Sequence, residues 1–395
     1  MTALVYYTCF TSSLGGGDIL PLLIVDYLQR KGISVTLALN WQSDVENAMK
    51  IIGVSADMSR LSIAFVKPRI TFLRKIDAIL PFYTTWQLKK LAKKSDLCIS
   101  TANLVDFGKP AHHFVYLLRT FGDNAFVDYV NHGAHGTVRR RFSQKLKTFV
   151  AETIIRPILG VRSTRKIIAT PREHIYSTSM YVERILRAFY GNFTNTVFYP
   201  PTLFTPTEPL AKKDPLRVVY VGQIFPEKRV LDIIDIVSRA RAATGKDIRL
   251  DIAGSLIDTH YVRKVREIAY TCAWLSLVGY VSGEAKSRFL SSATYAIHGE
   301  RDETFGISIT EYLKSRIIPI VPDEGGACEI VDSKALSYSD NGQASDILSR
   351  LLSDETFRDQ QLRHCVQRAA LFTVQSYTNR QSAVLDKIIE GVPQK

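Results

Sequence analysis

The stretch ATYAIHGERDETFGISITEYLKSRIIPIVP, residues 293–322, decides the fold. It opens on an apolar run, Ala293–His298, that reads as a buried strand, then enters an acidic loop, Glu300-Arg301-Asp302-Glu303. Phe305-Gly306 turns the chain into a helical pattern that lasts to about Ser315, and a second apolar run follows over Ile317–Pro322. Strand, loop, helix and strand in this order make one right-handed crossover of a parallel sheet.

The same alternation continues on both sides. Upstream lie strand-like runs at Arg217–Val221, Ile248–Ala253 and Ser276–Val278, separated by helical patterns near Arg229–Ala243, Ile257–Cys272 and Gly283–Ser291. Downstream, Asp354–Leu371 and Val374–Ile389 read as helices. The first half repeats the theme more loosely. Leu4–Tyr7 leads through a glycine turn (Gly15, Gly16, Gly17) to a helix over Leu22–Lys31 and a strand over Ser34–Leu39. Leu97–Ser100, Phe114–Leu117 and Lys166–Ala169 read as further short strands. Between the halves, residues 199–215 hold five prolines and no helical period, which marks a linker. The expected architecture is α/β, with two Rossmann-like doubly wound domains facing a cleft. Their bounds are 1–200 for the first, 201–215 for the linker and 216–373 for the second, with a final helix, 374–395, packing back on the first. In such sheets ligands bind outside the carboxyl ends of the strands.

Bulk properties agree with two domains. The chain has 395 residues, 46% hydrophobic and 23% charged, too long for one ordinary core. No internal repeat stands out. The N-terminal run MTALVYYTCFTSS lacks a preceding basic region, so it reads as a strand rather than a signal peptide. No apolar run is long enough to span a bilayer. The five cysteines are scattered without a CxxC pair and read as reduced thiols of a cytoplasmic protein.

The formal charge of +13 is clustered. Between Lys67 and Lys94 stand eight Lys/Arg against Asp77 alone, interleaved with Phe72, Leu73, Phe82, Tyr83 and Trp86. Arg139, Arg140, Arg141, Lys145 and Lys147 form a second cluster. A solvated helix face is one reading. The other is a peripheral patch on the inner face of a membrane, with aromatics in the interface and cations on anionic headgroups.

Three segments carry candidate chemistry. In VGQIFPEKR, residues 221–229, a strand ends in Gly222 and a helix begins near Pro226. Glycine admits close backbone approach, a helix start offers N–H groups, and Lys228 with Arg229 adds positive charge, so the segment can seat a diphosphate. The alternative is a routine strand–loop–helix junction. In HGERDETFGISITE, residues 298–311, the amides of Phe305, Gly306 and Ile307 can face an anion at the helix start. Glu303 can accept hydrogen bonds from sugar hydroxyls, and Glu311 from ribose hydroxyls. Their alternatives are an N-capping acid and an exposed helix residue. In PDEGGACEIV, residues 322–331, Gly325-Gly326 form a tight turn on the same carboxyl edge. No DxD-like pair and no His/Cys cluster offers metal-ligand spacing, so neither metal nor cofactor is expected.

VGQIFPEKR, LVGYVSGE and GERDETFGISITEYLKSRIIPIVPDEGGACEIV follow one another in the order and spacing of glycosyltransferase family 4, which this chain resembles. That resemblance implies a GT-B fold and a retaining, metal-independent hexosyltransferase, with Glu303 and Glu311 matching the family's Glu-x7-Glu. It implies that Glu303 contacts the transferred sugar, Lys228 the diphosphate and Glu311 the ribose. Thr304 and the Phe305–Ile307 amides would hold phosphate oxygens, and the backbone at Tyr280 and Val281 would face the base. Gly16, Gly17, Gly222, Gln223, Arg229 and Gly254 complete the implied donor-binding set. IYSTSMYVERILRAFYG and VFYPP match the family's strand, helix and Tyr-Pro-Pro before the linker.

Two departures stand out. Gln223 replaces the family's usual Arg, leaving Arg229 as the candidate second cation. Leu118 stands where a His is expected, so His112, His113, His132 or His135 would have to substitute, with His132 and His135 favoured by their glycine turn, NHGAHG. The implied function is transfer of a sugar from a nucleotide-sugar, UDP-linked before GDP-mannose, to a glycan or lipid-linked acceptor in surface polysaccharide or glycoconjugate assembly. Rival readings are a catalytically silent GT-B partner subunit, and a basic protein that binds nucleic acid or a membrane. No nucleic-acid reading module is recognisable, so no nucleic-acid partner is expected.

Overall fold

The computed structural model describes residues 1–10, 16–54, 57–67, 80–116, 126, 150–207 and 212–393. The chain divides into two compact units, the first made of Met1–Pro201 with Thr378–Lys395 and the second of Thr202–Tyr377.

In the first unit the order is β1 (Thr2–Tyr7), α1 (Gly16–Arg30), β2 (Ser34–Leu39), α2 (Val45–Ile52), β3 (Leu61–Phe65), α3 (Leu80–Ala92), β4 (Leu97–Ser100) and β5 (His112–Val115). It continues with α4 (Thr164–Ile168), β6 (His174–Ser177), α5 (Met180–Tyr190) and β7 (Asn195–Val197). The sheet runs β3-β2-β1-β4-β5-β6-β7, and its strands pair in parallel. Leu4, Val5, Leu37 and Ile99 are fully buried, as a sheet covered on both faces requires.

The second unit contains β8 (Asp214–Val221), α6 (Val230–Thr244), β9 (Arg249–Ala253), α7 (His260–Thr271), β10 (Leu275–Gly279), α8 (Gly283–Ser291) and β11 (Ala293–Ile297). Then come α9 (Ile307–Lys314), β12 (Ile318–Pro322), α10 (Gly325–Val331), β13 (Ser337–Tyr338), α11 (Asn341–Ser353) and α12 (Glu355–Ala369). Its parallel sheet runs β10-β9-β8-β11-β12-β13. In both sheets the chain starts in the middle, builds outward to one edge, then crosses over and builds to the other. The order reverses between β1 and β4 in the first sheet, and between β8 and β11 in the second. At such a reversal the loops leaving two neighbouring strands diverge to opposite faces and leave a crevice.

Several elements depart from expectation. Lys166–Ala169 is not a strand; Lys166–Ile168 lies in helix α4 and Ala169 is its C-cap, while the N-cap Ser163 accepts a hydrogen bond from the Lys166 amide at 3.3 Å. A three-residue apolar run carries no period of its own, and here the cap decides. Strand β5 starts at His112, two residues earlier than Phe114, because the buried His113 takes a core position that hydropathy does not reveal. The turn proposed for Gly15–Gly17 is already helix at Gly16. The helix expected near Pro226 is a 3-10 turn over Pro226–Lys228, and α6 starts at Val230 after Arg229 adopts a left-handed conformation with φ 52°. Elements β3, α2, β13 and α11 carry no pattern singled out above, and α3 carries part of the basic, aromatic stretch between Lys67 and Lys94.

A buried charge network braces the first unit. Asp106 pairs with Lys89 at 2.7 Å and with Arg162 at 2.8 Å, and Arg162 reaches Glu173 at 2.8 Å. Glu173 in turn holds His113 at 2.9 Å. Burial would raise the Asp106 carboxyl, but hydrogen bonds from Lys89, Arg162 and Gly108 hold it below its ordinary value.

Candidate functional site

The reversal between β8 and β11 brings the Val221–Arg229 segment beside the loop that follows Ile297. Glycines set the fit. A Cβ on Gly222 would lie 2.6 Å from the Tyr220 hydroxyl, which donates to the Gln223 carbonyl at 2.8 Å. A Cβ on Gly254 would lie 2.1 Å from the Gly222 carbonyl oxygen. A Cβ on Gly299 would lie 2.6 Å from the Lys228 carbonyl, so that glycine lets the 3-10 turn settle against the acidic loop. These glycines answer to the chain's own packing.

Lys228 is thereby delivered to two acids. Its ammonium bonds the carboxylates of Glu300 and of Glu303, the latter at 2.8 Å. The three side chains are only 23%, 13% and 16% exposed, so water screens them poorly. His298 lies beneath, 3% exposed, with Nε2 3.6 Å from Glu303 and neither ring nitrogen hydrogen-bonded. Burial drives its imidazole down to about 4, so it is neutral at pH 7. Burial, and then the neighbouring Glu303, push Glu300 up to about 7. Burial would raise Glu303 as well, yet the Lys228 charge outweighs it and holds this carboxyl down at about 2. Lys228 itself is raised, because the two carboxylates outweigh its burial. Among the described residues, His298, Glu300 and Glu303 form the one group with a spacing that would admit a cation, their nearest atoms lying within 4.8 Å of one another. The positive charge found there is the lysine's.

The acidic loop is held from below by Gly325-Gly326. The Gly326 amide donates to the Glu303 carbonyl at 2.6 Å, and a Cβ on Gly326 would lie 2.5 Å from the Thr304 carbonyl. Gly325, at φ 83°, would drive a Cβ to 2.3 Å from the Arg301 carbonyl. Glycine tolerates both the left-handed backbone and the approach. Above the loop Phe305 is buried, and Gly306, at φ 97°, caps α9 with no side-chain acceptor on its first turn. The first amides of α9 thus have no capping side chain, which suits an anion.

Glu311, the fifth residue of α9, is buried rather than exposed, and its carboxylate accepts from Lys286 of α8 at 2.6 Å. Lys286 was not singled out from sequence; neither were His298 and Glu300 as members of a charge cluster. Arg229 pairs with Asp232, so its charge is engaged within its own turn. Gln223 is exposed, Tyr280 is 65% exposed and Val281 is half-buried after β10. The second unit therefore gathers Lys228, Glu300, Glu303 and His298 at its switch point, with Glu311 and Lys286 along α9.

The first unit contributes less. Gly16 and Gly17 open α1, and a Cβ on Gly17 would meet nothing within 4 Å. His113 is sealed against Glu173. His112, at the amino end of β5, bonds the Tyr176 hydroxyl at 3.2 Å, and both histidines thus stand away from the carboxyl edge. His132, His135, Leu118, Gly15, the cluster from Arg139 to Lys147 and the stretch 68–79 lie outside the described residues.

Comparison with known proteins gives this geometry a context. Residues 204–371 match the model of the family described as glycosyl transferases group 1. Over 118 residues the chain is 27% identical to GDP-Man:Man(3)GlcNAc(2)-PP-Dol alpha-1,2-mannosyltransferase of Eremothecium gossypii, a match that covers 28% of this chain and 20% of that protein. Among solved structures, the glycosyltransferase WaaG, involved in lipopolysaccharide biosynthesis, superposes with a TM-score of 0.67 at 13% identity, covering 98% of this chain and all of WaaG. Anabaena HepE in complex with UDP and glucose gives 0.64 at 12% identity, with 98% and 100% covered. Sucrose-phosphate synthase from Thermosynechococcus elongatus gives 0.66 at 14% identity, with 98% and 99% covered. The fold is that of the GT-B glycosyltransferases.

Proposed function

We propose that this chain is a retaining, metal-independent glycosyltransferase whose donor, a nucleotide-sugar, binds at the β8/β11 switch point of the second unit. One observation carries the reading. A half-buried lysine, Lys228, and a half-buried acid, Glu303, meet directly before the uncapped start of α9, with a second acid, Glu311, further along that helix. A sugar diphosphate needs hydroxyl acceptors and phosphate donors in that order. Glu303 accepts hydrogen bonds from the transferred sugar, Lys228 and the Phe305–Ile307 amides stabilise the charge that builds on the departing diphosphate, and Glu311 holds the ribose. A lysine at the phosphates supplies the positive charge that a metal would otherwise bring. UDP-sugars and GDP-mannose are the first donors to test, since structural neighbours hold UDP and the curated relative is named for a GDP-mannose reaction.

For the acceptor we propose a lipid-linked glycan met at an anionic membrane surface. Helix α3 supports this with Trp86, 38% exposed, and the Lys90 ammonium 3.2 Å from the centroid of its ring. Ile154 and Ile158 are 49% and 76% exposed in the segment that Arg156 ties to Phe82 of α3. No described helix is long and apolar enough to cross a membrane.

The test is turnover and hydrolysis of UDP-, GDP- and ADP-sugars by the purified protein and its Glu303→Ala variant. We expect the variant to lose turnover by about a hundredfold while affinity for the free nucleoside diphosphate changes far less. An equal loss of both would remove Glu303 from the sugar. Absence of any donor turnover or hydrolysis would favour a silent partner subunit.

A further inference from the structure

Lys228 has three ammonium protons, and two of them face carboxylates of its own chain. Only one of those carboxylates, Glu303, has a task in the donor reading. Its main chain is pinned by the Gly326 amide, and its side chain lies against His298. Glu300 sits one residue after Gly299, at the point where the loop touches the Lys228 main chain, and its carboxylate reaches the ammonium from the other side. The other cations nearby are engaged elsewhere: Arg229 with Asp232, and Arg301 with the Ser339 carbonyl and Asp323. His298 is neutral and Tyr220, facing the cluster from β8, is protonated. Two acids thus share one ammonium, leaving one negative charge uncompensated in a poorly hydrated place.

Resting on the donor reading above, we infer that Glu300 is an internal stand-in for the donor's phosphate: it occupies Lys228 in the empty site and yields that hydrogen bond when a nucleoside diphosphate arrives. The stand-in keeps a buried ammonium satisfied before the donor binds. It also lowers the donor's affinity, because a diphosphate that takes the place of Glu300 on the lysine does so against that carboxylate. Burial and the adjacent Glu303 already push Glu300 up to about 7, which marks it as the acid that the site holds less firmly.

The experiment is calorimetric titration with UDP and, in parallel, GDP, on the wild-type chain, Glu300→Gln, Lys228→Met and the double variant. Melting curves first establish that each variant is folded. Glu300→Gln is expected to bind the diphosphate about tenfold tighter, near the lower end of what one charge-assisted hydrogen bond is worth. In the Lys228→Met background most of that gain should vanish, which is the coupling that a stand-in predicts and a merely structural glutamate does not. Weaker binding by Glu300→Gln would overturn the inference and make Glu300 a donor ligand. An unchanged affinity would overturn it too. An equal gain in both backgrounds would reduce Glu300 to a repelling charge. If neither diphosphate binds any of the four proteins, the donor reading itself fails, and the inference with it.

Discussion

Lys228→Met removes the one cation between Glu300 and Glu303 while keeping the length and apolar stem of the side chain. Breaking a buried ion pair from one side costs about 3–5 kcal/mol, because the partner's charge stays behind unpaired. Here two carboxylates remain, each about one-sixth exposed or less, so partial solvation places the cost near the lower bound. About 3 kcal/mol on a domain of this size lowers its midpoint by about 6–12 °C. The sign of the pH dependence follows from the neighbours. At pH 8 Glu300, Glu303 and neutral His298 leave the variant's site with two negative charges. Glu300 is already raised to about 7 with the lysine present, and loss of that lysine raises it further. The folded variant therefore binds a proton that its unfolded chain does not, and stability returns as the pH falls from 8 to 6. His298, held down at about 4, takes up its own proton more readily once the ammonium is gone, which acts in the same direction. Differential scanning calorimetry at both pH values resolves the transition of the second unit. We expect a loss of about 3 kcal/mol at pH 8 and about half of it at pH 6. An equal loss at the two pH values, or no loss at pH 8, would refute the idea that Lys228 balances this pair.

Three further outcomes follow from packing and surface. Gly254→Ala forces a Cβ to 2.1 Å from the Gly222 carbonyl and should cost about 3 kcal/mol by denaturant titration. Gly17→Ala, in helix α1 with nothing within 4 Å of its Cβ, should cost nothing and instead stabilise by about 0.4–1 kcal/mol. Replacing Lys90, Lys93 and Lys94 by Gln should weaken binding to phosphatidylglycerol vesicles by about a hundredfold, at about 1 kcal/mol each, with no effect on neutral vesicles. Lys89 must be spared in that series, because it pairs with the buried Asp106 and its removal would destabilise the first unit.

Much of the second unit was legible because its signals coincide. In residues 293–322 strand, glycine and helix signals fall at compatible spacings, and the observed elements differ from the reading by a residue or so at their ends. The first unit was harder. Helix α4 hides in a run too short to carry a period, and β5 hides behind two histidines, of which His113 is buried against Glu173, sixty residues downstream. Local sequence also cannot reveal the charge balance of the site. Lys228 and Glu303 stand 75 residues apart, and only the switch between β8 and β11 brings them together. Glu300 read as one more acid in an acidic loop until Gly299 placed it against the turn. Glu311 read as an exposed helix residue in the alternative because its partner, Lys286, belongs to another helix.

The division of the chain has a consequence for how the molecule is made. The second unit is one continuous stretch, Thr202–Tyr377, whereas the first is interrupted, and Thr378–Lys395 completes it. That segment lies mostly in the helix Val374–Glu390, where Asp386 accepts from the Tyr27 hydroxyl at 2.8 Å and pairs with Lys31 at 2.7 Å, and where Leu385 and Ile388 are buried. On the ribosome the half that begins first therefore finishes last. Its sheet can assemble early, but the apolar surface that Leu385 and Ile388 cover stays open while the whole second unit is synthesised, a span in which an incomplete domain is vulnerable to aggregation. The order of synthesis thus inverts the order of completion.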